Sequence, residues 1–118
     1  MITETELFSF IEKDIESTTK KIDEKLNVYA QSLFSTNPNE NLNNMALYYS
    51  FRLKFLKGLQ NIMNYALEDK KDVIQEAKEW YSIKFLNIIE RPFGISNNCY
   101  AILCNSAKDL RDDLKFLK

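Results

Sequence analysis

The sequence predicts a single all-α domain folded as an antiparallel four-helix bundle. Three observations carry that expectation. Apolar residues recur at intervals of three and four along four separate stretches. Gly and Pro number only 2 each in 118 residues, too few for the tight turns of an all-β sandwich or barrel. The apolar share of 45% and charged share of 28% suit one domain with its own core and exclude a disordered chain.

Helix one is expected over residues 3–34. Thr3 with Glu6 fits a capping box, and Glu4 and Glu6 crowd the first turn, where the helix dipole favours negative charge. Phe8, Ile11, Ile15, Ile22, Leu26, Tyr29 and Leu33 form a near-heptad seam, with Thr18 bridging the gap between Ile15 and Ile22. Such a seam packs almost antiparallel against a neighbour. The stretch from Ser35 to Asn41, with Pro38 at its centre, is turn chemistry.

Helix two is expected over 42–67. Met45, Tyr49, Leu56, Leu59 and Met63 make its stripe, widened by Tyr48, Phe55, Ile62 and Ala66. Gly58 interrupts it at some cost in helix propensity. In a hairpin centred on Pro38, Gly58 falls opposite Thr18 and Thr19, which predicts a close approach of small residues there.

Residues 68–72 form a charged corner in which Asp69 or Asp72 can cap helix three, expected over 70–90. Val73, Ile74, Ala77, Trp80, Tyr81 and Ile88 turn inward, and Pro92 bars continuation. Ser96 or Asn97 caps helix four, 97–117, whose seam is Cys99, Tyr100, Leu103, Ala107, Leu110, Leu114 and Leu117. One pattern competes. From Trp80 to Ile89 the residues partly alternate, so an α+β variant with a hairpin at about 80–104 is the minor alternative. Helical periodicity on both sides of that stretch favours four helices.

Composition narrows the chemistry. The chain has no His, which removes His metal ligands, His-based triads and the usual pH switch. Two cysteines, Cys99 and Cys104, cannot build a four-ligand zinc site and read as reduced small hydrophobes. No phosphate-cradling or nucleophile-elbow motif occurs. No catalytic residue, metal or cofactor is therefore expected, and the chain reads as a non-enzyme. The first residues lack the basic and apolar regions of a signal peptide, and no apolar run approaches the ~20 residues of a membrane span. A soluble, cytoplasmic protein is the expectation. Lys outnumbers Arg 13 to 3, beside 12 Asn and 11 Ile, which suggests an AT-rich coding genome, bacterial or phage.

Sixteen Lys and Arg against 17 Asp and Glu leave a net charge of −1, so any affinity for a charged partner must come from a local patch. Helix three offers one. Glu68, Asp72, Glu76 and Glu79, spaced four, four and three, should file along one outward strip that continues through Ile83 and Leu86 to Glu90. Like charges at that spacing oppose local stability. Acids ending in exposed aliphatic side chains are the ingredients of an interface, with charge to steer a basic partner and apolar anchors to hold it. The plainer reading is a solvated charged face.

Arg52 is the odd residue of helix two, near the middle of its apolar stripe. A buried guanidinium must meet a carboxylate, stack on a ring or reach water. It is either half of a structural ion pair or one wall of an anion pocket, with Lys84 in a comparable place on helix three. Arg52, Lys54 and Lys57 with nearby tyrosines also make helix two a candidate nucleic-acid contact, although three cations are few for phosphate binding.

The expected function is a small protein-binding module that covers a basic surface on another protein, such as a toxin, nuclease or defence complex. A stoichiometric inhibitor, immunity protein or phage anti-defence protein has this size and chemistry. The rival from another class is a nucleic-acid-binding or nucleoprotein component using residues 42–67. A third is a homo-oligomeric structural or adaptor protein with Phe10, Phe51, Ile83 and Leu86 as dimer contacts. No membrane role is expected.

Overall fold

A computed structural model describes residues 2–32, 40–86 and 94–118, with backbone alone at 32, 40–43 and 84–86. Four α-helices run in chain order: α1 Glu4–Ser32, α2 Glu40–Glu68, α3 Val73–Leu86 and α4 Asn97–Asp113, followed by a 3₁₀ turn at Lys115–Leu117. The all-α expectation holds, and among the described residues there is no strand. The alternating stretch that hinted at a hairpin is helical through Leu86, because Trp80 and Tyr81 bury together with Val73 and Ala77 at helical spacing. Ile88 and Leu33 lie outside the described residues.

The ends are set by local chemistry. Thr3 caps α1, its hydroxyl accepting the Glu6 backbone N–H at 3.2 Å and donating to the Glu6 carboxylate at 2.9 Å. Asp72 caps α3 by accepting the Gln75 N–H, and Ser96 caps α4 by accepting the Cys99 N–H, each at 3.2 Å. Lys70, at φ 58°, turns the chain out of α2, and the Lys71 N–H returns to the Ala66 carbonyl at 2.8 Å. Helix four stops at Asp113 rather than running to 117, and the 3₁₀ turn carries Leu117 back into the core.

The core is uneven. Leu7 and Ile11 enter from the first half of α1, Leu56, Leu59 and Met63 from the second half of α2, and Leu110, Leu114 and Leu117 from the C-terminal end. Beyond Thr18 the α1 seam loses its cover: Leu26 is 44% exposed, and Met45 across the hairpin is 39% exposed while its neighbour Ala46 is buried. The long dimension is 55 Å against 28 and 22 Å, since two 29-residue helices outreach the shorter pair packed on them. Over the described residues the two helices are equal in length, where the spacing predicts helix one, over 3–34, to be the longest.

The register of the α1–α2 hairpin differs from one centred on Pro38. Asp14 meets Arg52 and Lys21 meets Tyr49, so Gly58 lies toward the N-terminus of α1, about two turns from Thr18. A Cβ built on Gly58 would touch nothing within 4 Å. The expected close approach of small residues is absent. Gly58 sits in an ordinary helix with room beside it.

Candidate functional site

The acidic strip divides between two elements. Glu68 is the last residue of α2 and is separated from α3 by the Lys70 turn, so it does not share a helix with Asp72. Asp72 and Glu76 stand at the N-terminal end of α3, where the helix dipole favours acids and offsets their mutual repulsion. Local stability therefore supports these two, contrary to the cost expected for one continuous helix. Glu76, Glu79 and Ile83 do share a face, being three and four residues apart. Glu79 accepts a 3.5 Å contact from the Gln75 amide, and Ile83 is 61% exposed. Leu86 ends the described part of α3 and Glu90 lies beyond it. Among the described residues the ion pairs both involve Arg52, so none ties Glu76 or Glu79 to the chain's own lysines.

Arg52 resolves as the ion-pair reading predicts. Its Nε donates to Asp14 Oδ1 at 3.2 Å and its Nη2 to Asp14 Oδ2 at 2.6 Å, a side-on pair between α2 and α1. Its Nη1 reaches Asp113 Oδ2 on α4 at 2.8 Å. Burial opposes the charged guanidinium, but hydrogen bonds and attraction from Asp14 and then Asp113 outweigh it and hold the pKa above its ordinary value. The Thr18 hydroxyl, itself buried, donates to Asp14 Oδ1 at 3.0 Å and gives that oxygen its second hydrogen bond. One guanidinium so fastens three helices. Lys54 and Lys57 are exposed on α2, and of Lys84 the backbone alone is described.

A cleft of about 440 Å³ opens beside this cluster at the junction of α1, α2 and α4. Tyr48 donates its hydroxyl to Asp109, and the buried Ser106 hydroxyl donates to the Tyr48 carbonyl at 2.7 Å, seating α4 on α2. The Tyr48 phenol is raised in pKa by burial first and by the Asp109 hydrogen bond second. Tyr49 meets Tyr48 edge-on with centroids 5.1 Å apart, and Lys21 Nζ stands 5.4 Å from the Tyr49 centroid. Asp112 completes the lining. Four carboxylates thus face two cations, which is the wrong balance for an anion pocket.

Reading by residue pattern found Arg52 but not its partners. One signal was available: Asp109, Asp112 and Asp113 stand toward the end of α4, where the helix dipole opposes an acid, with Arg111 as the basic residue of the last turn, so a cation from another helix stabilises that end further. Cys99 and Cys104 are unpaired and half-buried on α4. Among the described residues no three Cys, Asp or Glu side chains are placed to hold a metal ion, and no helix is long and apolar enough to cross a membrane. Comparison with known proteins finds no matching family model, curated sequence or solved structure.

Proposed function

We propose that the chain is a small non-enzymatic protein-binding module that covers a basic surface of a partner, as a stoichiometric inhibitor of the immunity or anti-defence type does. The observation that carries this reading is the α3 face on which, among the described residues, Glu76 and Glu79 stand without an ion pair to the chain's own lysines and Ile83 stands exposed beside them. Carboxylates there steer a basic surface, and Ile83 supplies an apolar anchor that desolvates on contact. Glu68 and Asp72 flank the start of that face. The nucleic-acid reading has less support, because Arg52 is engaged by two carboxylates and, of its candidate cations, the described side chains left exposed are Lys54 and Lys57.

The test compares wild type with Glu76→Lys/Glu79→Lys and with Ile83→Asp, each checked by circular dichroism for an intact helical fold. Association with the protein that wild type retains should slow about tenfold or more at low salt for the double reversal, and its salt dependence should shrink. Equal association by wild type and both variants removes the α3 face from the function. A filter-binding titration of single- and double-stranded DNA at two salt concentrations addresses the rival. Tight, salt-dependent retention of DNA would favour it.

A further inference from the structure

The outer faces of α2 and α3 carry opposite charges in matching order. On α2, Ser50, Lys54 and Lys57 step by four and three along the side turned away from the core, and all three are exposed. On α3, Glu76, Glu79 and Ile83 step by three and four, opposite the buried Val73, Ala77 and Trp80. Among the described residues both ion pairs involve Arg52, so these lysines and glutamates are left without one.

Laid antiparallel, the register that sets Lys57 against Glu76 also sets Lys54 against Glu79 and Ser50 against Ile83. Ile83, 61% exposed, then enters the hole at Ser50 and Lys54, where half-buried Leu47 and Phe51 supply apolar walls. Gly58 adjoins Lys57, and a Cβ there would meet nothing in its own chain. The missing side chain leaves room for Glu76 beside Lys57, which gives a helix-interior glycine a use outside its own fold. Both faces turn away from the core of their chain, so they can meet only between copies.

We propose that the α3 face of one copy docks antiparallel on the outer face of α2 in a second copy. The inference rests on the reading of α3 as a docking face and names one occupant of it, the chain's own basic helix. Self-association withdraws that face from any other partner. Because different faces of the two copies meet, the contact is heterologous and builds open chains or rings. A helix of 14 residues, about 21 Å long, keeps the contact below about 1,200 Å², in the weak class of interfaces.

Sedimentation equilibrium of the pure protein, in a concentration series into the millimolar range, tests it. Mean mass should rise with concentration, and association should weaken about tenfold between about 0.05 and 0.5 M salt. Lys54→Glu/Lys57→Glu and Glu76→Lys/Glu79→Lys should each stay monomeric while keeping the helical circular dichroism of wild type. Mixing these two variants should restore association, and so should the quadruple variant with both faces exchanged. Misfolding cannot be rescued in that way. A wild type that is monomeric throughout, association that either reversal leaves intact, or a mixture that stays monomeric overturns the proposal. No other protein is present, so the two readings fail separately. A wild type that is monomeric here yet loses its partner on Glu76→Lys/Glu79→Lys keeps the α3 reading and loses this one.

Discussion

Arg52 and Asp14, 38 residues apart in the chain, are joined side-on by two nitrogen–oxygen contacts of 3.2 and 2.6 Å. Their side chains are only 13% and 15% exposed, whereas Asp113, the third member, is 53% exposed. Solvent screening should therefore make the two arms of the cluster unequal. A double-mutant cycle by urea denaturation should find coupling of about 1–3 kcal/mol between Arg52 and Asp14 and less than about 1 kcal/mol between Arg52 and Asp113. Equal couplings would mean that the Asp14 arm is as wet as the Asp113 arm.

Glycine chemistry is displaced along the second helix. Gly58 occupies a helix interior where a Cβ would meet nothing, while Lys70 takes the left-handed turn at φ 58° that glycine adopts without strain. Gly58→Ala and Lys70→Gly should each stabilise the fold, by about 0.5–1 kcal/mol. Because Gly58 lies inside α2 and Lys70 in the turn beyond its end, the double variant should add the two gains. Thermal unfolding of the three variants measures this, and a loss at Gly58→Ala would show that a neighbour does approach that position.

What could be read from residue order was whatever depends on one helix at a time. The stripes, the caps at Thr3, Asp72 and Ser96, and the need of Arg52 for a carboxylate all follow from spacing and chemistry within a few turns. The hairpin register did not follow, because the centre of a turn-rich segment does not fix which α1 residue faces Gly58. For the same reason the cleft was hidden: Asp14, Tyr48 and Asp109 meet only once three helices are in register. Met45 and Leu26 fit their stripes yet remain exposed, since periodicity marks a face but not whether a third helix covers it.

That partial cover sets a gradient of stability along the hairpin. Leu59 is fully buried and Leu26 is 44% exposed, although both belong to an apolar stripe. Leu59→Ala should cost about 2–5 kcal/mol through lost burial and a cavity. Leu26→Ala should cost less than about 1 kcal/mol. Native-state hydrogen exchange should match, with amides of 22–32 opening well before those of 55–66. Equal protection of the two stretches would imply that the hairpin's far end is covered in solution.

Tyr48 links α2 to α4 through Asp109, and its phenol is pushed above the ordinary 10.0, by burial first and then by the Asp109 hydrogen bond and charge. A group whose folded pKa exceeds its unfolded value stabilises fully below the unfolded value and progressively less as pH rises above it. The contribution of Tyr48 should thus be constant from neutrality to about pH 10 and decline beyond. In an absorbance titration of the folded protein, the Tyr48 phenol should ionise as a late phase, above its ordinary range or only on unfolding. Tyr48→Phe should remove that late phase, cost about 0.5–1.5 kcal/mol at neutral pH, and flatten the loss of stability above pH 10. If the late phase survives in Tyr48→Phe, another phenol carries it, and the α2–α4 link through Asp109 does not hold the hydroxyl proton in solution.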